Sequence, residues 1–436
     1  ADESNFLTRL VDKLPFYSTK ETSRINFSAE GAALKPGSND VINIKTASGS
    51  QGTVLIDDFE GAINGFLLGG YNSNQWALAS VPPEIPGSEI DGLESGANRA
   101  LLNWYTIDRA ARRGNDNSDP YARTLEQTAL FPGRSVQPGQ GELFTFDVSY
   151  YPNERGPYNF DVPDGYPGIS SGITVDGQQQ KVFLNDPESR WGGIMRYFPN
   201  SDFEAANYEF IEFWLLNPFM DRQDGVVPGA NESGEIVMQL GNISEDILKD
   251  GKQFFENGLV DDPNRCTNYD QSVWGVVPQN IPLNNNFNNQ NLDTDPTQDY
   301  GLDGLNDTIE RAHFNDWLAQ IGGFQYNFIT EDPSNDDYLS NNDPAYDNVD
   351  VLTERYKKFN NPQGNFPNNR GTTDPTRLER GNFYPDQEDL NLNRALDQGE
   401  SYYEYRIPIK NNNGELDINI PGSRVTQVKI DSTNNR

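Results

Sequence analysis

Short strand-like runs, rich in apolar, aromatic and β-branched residues, recur along the first half of the chain. Seven such runs, connected by segments of sandwich-like length, predict a mainly β fold of β-sandwich type, jelly-roll or galactose-binding-like, with a few short helices and long Asn/Asp-rich loops. The runs are Thr53 to Phe59, Trp76 to Val81, Arg99 to Ile107, Leu143 to Tyr151, Trp191 to Phe198, Tyr208 to Leu216 and Glu235 to Leu240.

Three segments predict helices. Asp119 and Pro120 supply cap and first-turn chemistry for a helix that continues to about Leu130. A second helix is predicted from Ser244 through Phe255, and a third from Asn306 to Gln320. The third helix has one apolar face, which consists of Ile309, Ala312, Trp317, Leu318 and Ile321 and also carries His313.

Shifts in composition divide the chain into four predicted parts. Residues 1–50 form an extended N-terminal segment with one strand, Ile25 to Glu30, and residues 51–277 form the β-sandwich. Residues 278–400 are rich in Asn, Asp and Pro, which favour turns, and include one helix. Residues 401–436 contain a returning strand, Ser401 to Ile409, and a weak last strand, Arg424 to Ile430.

Charge excludes nucleic acid as a partner. The 436 residues include 66 Asp and Glu against 33 Lys and Arg, a net charge of -33, whereas phosphate binding depends on cationic side chains. Such a charge repels itself within a compact fold, which favours bound cations. The sequence also has no basic-then-apolar leader and no apolar run near twenty residues, so neither a signal peptide nor a spanning helix is expected.

Catalytic chemistry has little support in the sequence. Cys266 is the one cysteine and His313 the one histidine, so an intrachain disulfide, a Cys/His zinc site and a paired-thiol redox site are excluded. Paired carboxylates for glycoside hydrolysis stay open because acidic residues are abundant. Trp76, Trp104 and Trp191 suit either sugar stacking or a strand core. The chain is predicted not to be an enzyme.

Two twelve-residue stretches have the oxygen-ligand spacing of calcium loops. In the second, loop positions 1, 3, 5, 9 and 12 are oxygen donors and position 7 supplies a backbone carbonyl. In the first, Gly304 occupies position 6, where the loop turns sharply. The alternative for both is a solvated acidic turn. The predicted ligands are Asp299, Asp303, Leu305, Asp307 and Glu310 in the first loop, and Asp389, Asn391, Asn393, Ala395, Asp397 and Glu400 in the second.

Several segments together resemble the SprA (Sov) family, the outer-membrane translocon of the type IX secretion system in gliding and related Bacteroidetes. Their order and spacing agree from about residue 5 to 415. The segments are Ile56 to Gly61, Arg99 to Tyr105, Trp191 to Arg196, Ile211 to Phe219, Leu240 to Asp246, Glu256 to Leu259, Gly301 to Leu305 and Glu388 to Asn391.

The resemblance implies a soluble internal piece of a much longer chain whose remainder is a large transmembrane β-barrel. Its implied partners are a porin-like shuttle (PorV), a plug protein and secreted cargo proteins. Its implied location is the cell surface or the outer membrane, and the resemblance does not determine on which face of the membrane it lies. Family members tend to have Asn or Gly where this chain has Arg394. The family has no catalytic residues to transfer to this chain.

These observations predict a non-enzymatic, calcium-ordered extramembrane region of the translocon that supports protein export and gliding motility. The alternative is a calcium-dependent carbohydrate-binding or adhesive β-sandwich module at the cell surface. The aromatic residues of the strands motivate that alternative.

Overall fold

The computed structural model describes residues 66–69, 76–114, 119–137, 140–200, 202–203, 206, 208, 211–221, 229, 232–256, 269–279, 301–339, 341–359, 386–413 and 415–418. All of them belong to a unit that extends from Gly65 to Arg436. The predicted strands Ile25 to Glu30, Thr53 to Phe59 and Arg424 to Ile430 lie outside the described residues. So does Cys266.

Antiparallel strands dominate the described residues. The strands are β1 (Ala77–Leu78), β2 (Ala100–Tyr105), β3 (Asp147–Arg155), β4 (Ile173–Asp176), β5 (Lys181–Leu184), β6 (Ile194–Met195), β7 (Ser233–Asn242), β8 (Tyr269–Gln271), β9 (Val276–Pro278), β10 (Ser401–Asn412) and β11 (Glu415–Ile418). The α-helices are short: α1 (Arg109–Gly114), α2 (Gln127–Leu130), α3 (Asp307–His313), α4 (Asn315–Gln320) and α5 (Asn327–Thr330). The predicted mainly β class with short helices is confirmed.

Four sheets result. One has four strands in the order β2-β3-β5-β4, and another has three in the order β11-β10-β7. Two-stranded pairs form between β1 and β6 and between β8 and β9. The long β10 runs antiparallel to β7 with Ile407 opposite Ile236 and Tyr405 opposite Met238. The segment predicted to return to the earlier strands therefore does so.

A largely aromatic core joins the four-stranded sheet to the helices. Trp104 of β2 is fully buried, as are Phe160 and Leu318. The Phe160 ring packs against Phe314 at 4.2 Å and against Trp317 at 5.1 Å between centroids. Burying a large apolar side chain stabilises a fold by about 1.5–3 kcal/mol. Because Trp104 is in the core, it is not a sugar-stacking platform; Trp76 and Trp191 are partly buried.

A buried ion pair connects loops next to the four-stranded sheet. The guanidinium of Arg190 lies 2.9 Å from the Asp161 carboxylate, and both side chains are fully buried. The same guanidinium donates to the carbonyls of Ala97 and Gly172, each at 2.8 Å. A buried charge is tolerated when it is paired and hydrogen-bonded in this way.

Two predicted elements are wrong. Residues 208 and 211–216, the described part of the predicted strand Tyr208 to Leu216, have no strand pairing. Ser244 to Phe255 is a series of bends rather than a helix. The physical reason in the second case is a competing acceptor, because the backbone N–H groups of Ile247, Leu248 and Phe254 donate to the Glu388 side chain instead of to helix carbonyls.

Two other predicted helices are shorter than expected. Only Gln127–Leu130 of the first is helical. Leu143 N donates to Leu125 O and Gln127 N donates to Gly141 O, so the backbone at Glu126 forms an isolated antiparallel bridge with Glu142 instead. The third helix is preceded by Asn306, the first residue of the predicted range, which caps α3 by accepting from Ile309 N. It is interrupted at Phe314, which separates α3 from α4.

This interruption changes the buried face of the third helix. Trp317, Leu318 and Ile321 are buried as predicted. Ile309 and Ala312 are exposed, because Glu310 and Phe314 take the inward positions in α3 and at its end. His313, expected in a partly buried position, is exposed, and its Nε2 lies 3.0 Å from the carbonyl oxygen of Val273.

All α-helices of the described residues are short. None of them has the length and the apolar content that crossing a membrane requires.

Candidate functional site

The first predicted calcium loop places two of its ligands in a buried acidic group. Among the described residues, ligand oxygens of Asp303, Glu310 and Asp336 all lie within 4.8 Å of one another. The three residues are at most 4% exposed. Asp303 comes from the turn before α3 and Glu310 from its first turn, so the loop and the helix deliver both carboxylates to one point.

Ser334 links the members of this group. Its hydroxyl donates to Asp303 Oδ2 at 2.6 Å, and its backbone N–H donates to Glu310 Oε2 at 3.0 Å. The other oxygen of Asp303, Oδ1, accepts from Leu305 N at 3.0 Å. Ser334, which lies outside the loop, therefore holds both predicted ligands in place.

Two glycines allow the loop to approach so closely. Gly304 has a φ of +71°, the left-handed conformation expected at loop position 6. A Cβ atom on Gly301 would lie 1.8 Å from Asp336 Oδ2. Any larger residue at position 301 would displace the third carboxylate.

Burial makes the negative charge of this group unfavourable. It raises the pKa of both Asp303 and Glu310, and neighbouring carboxylates raise both again. The nearby Arg155 guanidinium donates to carbonyl oxygens of Asn159 and Pro333. A hard divalent cation relieves repulsion among buried carboxylates and prefers oxygen ligands, so the donor set fits calcium.

Of the described residues, the other predicted ligands of the first loop are not part of this acidic group. Asp307 lies in the first turn of α3 and outside the group of three. Leu305, predicted to supply a backbone carbonyl, is buried. Asp299 lies outside the described residues. Asp336 was missed by sequence reasoning because it lies beyond the twelve-residue window and only the packing of the 332–336 turn brings it close.

The second predicted loop folds around Asp389. Its carboxylate accepts from two backbone groups of the same loop, Asn393 N at 2.9 Å and Arg394 N at 2.8 Å. The side-chain amides of Asn391 and Asn393 both donate to Asp397 Oδ2, at 2.7 and 3.0 Å. Loop positions 1, 3, 5 and 9 are thus linked in one hydrogen-bonded cluster.

Position 12 of this loop is directed elsewhere. Glu400 Oε1 accepts from Ser244 N at 3.2 Å, which connects the loop end to the 244–256 segment. The backbone N–H of Ala395 donates to Asn393 Oδ1 at 2.7 Å. The four side chains carry the oxygen types that calcium prefers. In the structure the side-chain nitrogens of Asn391 and Asn393 face the Asp397 carboxylate.

Arg394 adopts the backbone conformation that the loop demands. Its φ is +66°, and Leu392 also has a positive φ of +59°. The Arg394 side chain is exposed, so its cationic group is outside the acidic cluster. The departure from Gly or Asn at this position therefore keeps the turn, at a conformational cost.

Buried carboxylates hold the second loop to residues 244–256, the segment that packs against it. Glu245 accepts from Leu390 N at 2.8 Å and from Asp397 N at 3.3 Å, and Asp246 accepts from the Gln398 side chain at 2.9 Å. Glu388 accepts three backbone N–H groups at 2.6 to 2.8 Å and is fully buried. Residues 244–256 and 386–400 are together called the acid-locked loops below.

Comparison with known families finds a match over the last part of the chain. Residues 309–435, which include Glu310, Asp336 and the whole second loop, match the SprA_N family, described as a motility related/secretion protein. The resemblance read from the sequence is confirmed, and the chain is an SprA-family chain over this segment. No curated protein matches it.

Proposed function

We propose that this chain is a non-enzymatic extramembrane region of a type IX secretion outer-membrane translocon, where it supports protein export and gliding motility. The observation that carries the proposal is the SprA_N match over residues 309–435, since that family is described by motility and secretion. The proposed location is the cell surface or the periphery of the outer membrane. A single histidine and a single cysteine favour a structural role over a catalytic one.

The proposed partners are the porin-like shuttle PorV, a plug protein and secreted cargo. A protein that organises such an assembly needs surfaces of fixed shape, because rigid surfaces lose less conformational entropy on binding. The acid-locked loops meet this need. Their backbone donors are satisfied by side chains of a distant segment rather than by water, as the bonds from Ile247 and Leu390 illustrate.

Calcium is the proposed cofactor, with an ordering role. The first site consists of Asp303, Glu310 and Asp336, and the second of Asp389, Asn391, Asn393 and Asp397. A cation that binds only the folded state stabilises that state. Because the chain has a net charge of -33, neutralising its buried carboxylates also reduces self-repulsion.

The export role is tested by gene replacement in the native host. The full-length protein carries Asp389→Ala, which removes the acceptor of two loop N–H groups, or Glu188→Ala, an exposed control. We expect Asp389→Ala cells to release less secreted protein into the medium, to retain that protein in the cells and to glide poorly, whereas control cells behave as wild type. Normal export with equal amounts of the Asp389→Ala protein in the outer membrane contradicts the proposal.

A further inference from the structure

An apolar segment, Ile211 to Leu216, lies on the surface of the molecule without regular secondary structure. Only Glu212 in it is charged. Solvent-exposed apolar residues are ordinary when scattered, but a continuous run of them marks an interaction site. The exposed fractions are 44% for Ile211, 45% for Phe213, 48% for Trp214, 37% for Leu215 and 44% for Leu216.

The segment is anchored at Trp214 and just beyond its C-terminal end. The Trp214 ring packs edge-on against Phe131 at 5.7 Å. The Tyr121 hydroxyl accepts from Met220 N and donates to the Pro218 carbonyl, each at 2.9 Å. These contacts fix where the run lies on the surface while leaving its apolar side chains open to solvent.

The backbone of the segment has no hydrogen-bonding partner among the described residues. These unpaired backbone groups distinguish between two ligands that an apolar surface can bind, a lipid bilayer and another polypeptide. A lipid bilayer cannot satisfy unpaired N–H and C=O groups, so burying them there is costly. A β-strand of another polypeptide satisfies them while covering the side chains. The composition of the run, Ile-Glu-Phe-Trp-Leu-Leu, also favours a strand.

Charge selects among polypeptide partners. From residue 202 to 224 the sequence has six acidic residues and one basic residue, Arg222. The whole chain has a net charge of -33, so two copies repel each other. A partner with lysine or arginine beside its strand is attracted instead.

We propose that residues 211–216 pair as a strand with an exposed sheet edge of a partner protein that carries basic residues beside that edge. The inference rests on the docking role proposed above and supplies it with a surface. It is independent of calcium. Because its test measures binding in solution, failure of the binding test and failure of the export test are distinguishable.

The test uses a fluorescein-labelled peptide of alternating valine and threonine with two lysines at each end, titrated against the whole chain. Fluorescence anisotropy is expected to show saturable binding. Phe213→Lys is expected to weaken it at least tenfold, as is N-methylation of alternate peptide amides, which removes backbone donors. The control is Val273→Lys, at a site 52% exposed and outside the segment, which keeps wild-type affinity. Equal melting midpoints establish that both variants fold.

Several results overturn the proposal. Undiminished peptide binding by Phe213→Lys, or no binding by the wild-type chain, does so directly. Protected amides at 211–216 in hydrogen exchange of the chain alone show that the segment pairs within its own molecule. A dimer that Phe213→Lys dissolves assigns the surface to a second copy. Sedimentation with vesicles of phosphatidylethanolamine and phosphatidylglycerol, lost in the same variant, assigns it to a membrane.

Discussion

The carboxylate of Glu388 accepts the backbone N–H of Leu248 at 2.7 Å, across 140 residues of sequence. The same side chain accepts Ile247 N at 2.6 Å and Phe254 N at 2.8 Å. One buried side chain therefore does for this irregular segment what successive carbonyl groups do for a helix. The shape of the acid-locked loops depends on it.

Replacing Glu388 with alanine is expected to destabilise the chain strongly. The variant leaves three buried donors without acceptors, and each costs about 1–3 kcal/mol, so a total loss of about 3 kcal/mol or more is expected. Urea denaturation followed by tryptophan fluorescence measures this loss. Glu388→Gln keeps one oxygen, so its stability is expected to lie between those of wild type and Glu388→Ala. The exposed control Glu188→Ala is expected to be about as stable as wild type. A loss below about 1 kcal/mol contradicts this role for Glu388.

The local sequence pattern predicted those elements whose conformation depends least on contacts with distant residues. The apolar and aromatic composition of Arg99 to Ile107 and of Ser401 to Ile409 was enough to predict β2 and β10, because strand propensity belongs to the segment itself. The start of the third helix at Asn306 was also predicted, and the structure shows that this residue caps α3. In contrast, Ser244 to Phe255 has the signals of a helix but loses its helical bonds to Glu388, which sequence spacing cannot reveal.

The candidate site shows the same division. Asp303 and Glu310 were found from their spacing, and they do meet. Asp336 completes the group through tertiary packing, for which the sequence has no local signal. The grouping of Asp389, Asn391, Asn393 and Asp397 follows the predicted order, but Glu400 is directed to Ser244 by the segment packed against the loop.

Arg394→Gly is expected to stabilise the chain. Arg394 has a φ of +66°, where a side chain costs about 1–2 kcal/mol relative to glycine. Part of that gain is offset because glycine has more freedom in the unfolded chain, which leaves about 0.5–1 kcal/mol. Denaturation midpoints measure the change. Ala395→Gly, the next residue of the same loop, lacks the strain and is expected to destabilise; equal effects of the two substitutions contradict the argument.

Acid sensitivity is expected to depend on Glu154. Burial raises its pKa, but Lys357 at 2.7 Å and Lys181 at 3.1 Å outweigh that effect, so the pKa falls below its ordinary value of 4.5. The unfolded chain then binds the proton more readily than the folded chain, and the stabilisation is lost as pH falls through the folded pKa.

Glu154→Gln removes this titration. Between about pH 5 and about pH 3 the variant is expected to lose less stability than wild type, although it is less stable at pH 7 by roughly 1 kcal/mol. Thermal melts across this range measure the difference, and exposed Glu188→Gln is the control. Parallel pH profiles for wild type and Glu154→Gln show that the two lysines do not lower the pKa.

Glu310→Gln is expected to separate the cost of buried charge from the benefit of calcium. In EDTA the variant should be more stable than wild type, because an amide removes one of three repelling carboxylates. It should also lose much of its response to calcium. Exposed Glu331→Gln is the control and should respond as wild type. A full calcium response in Glu310→Gln assigns the ion to another place.

The most direct measurement of the central claim, that calcium orders these acidic loops, is the unfolding of the whole chain with calcium and with EDTA. A ligand at about 100 times its Kd adds about 2.7 kcal/mol to the stability of the state that binds it. We predict a higher midpoint in calcium than in EDTA, with the difference abolished by Glu310→Gln together with Asp397→Asn. Identical midpoints for the wild-type chain at millimolar calcium and in EDTA contradict the claim.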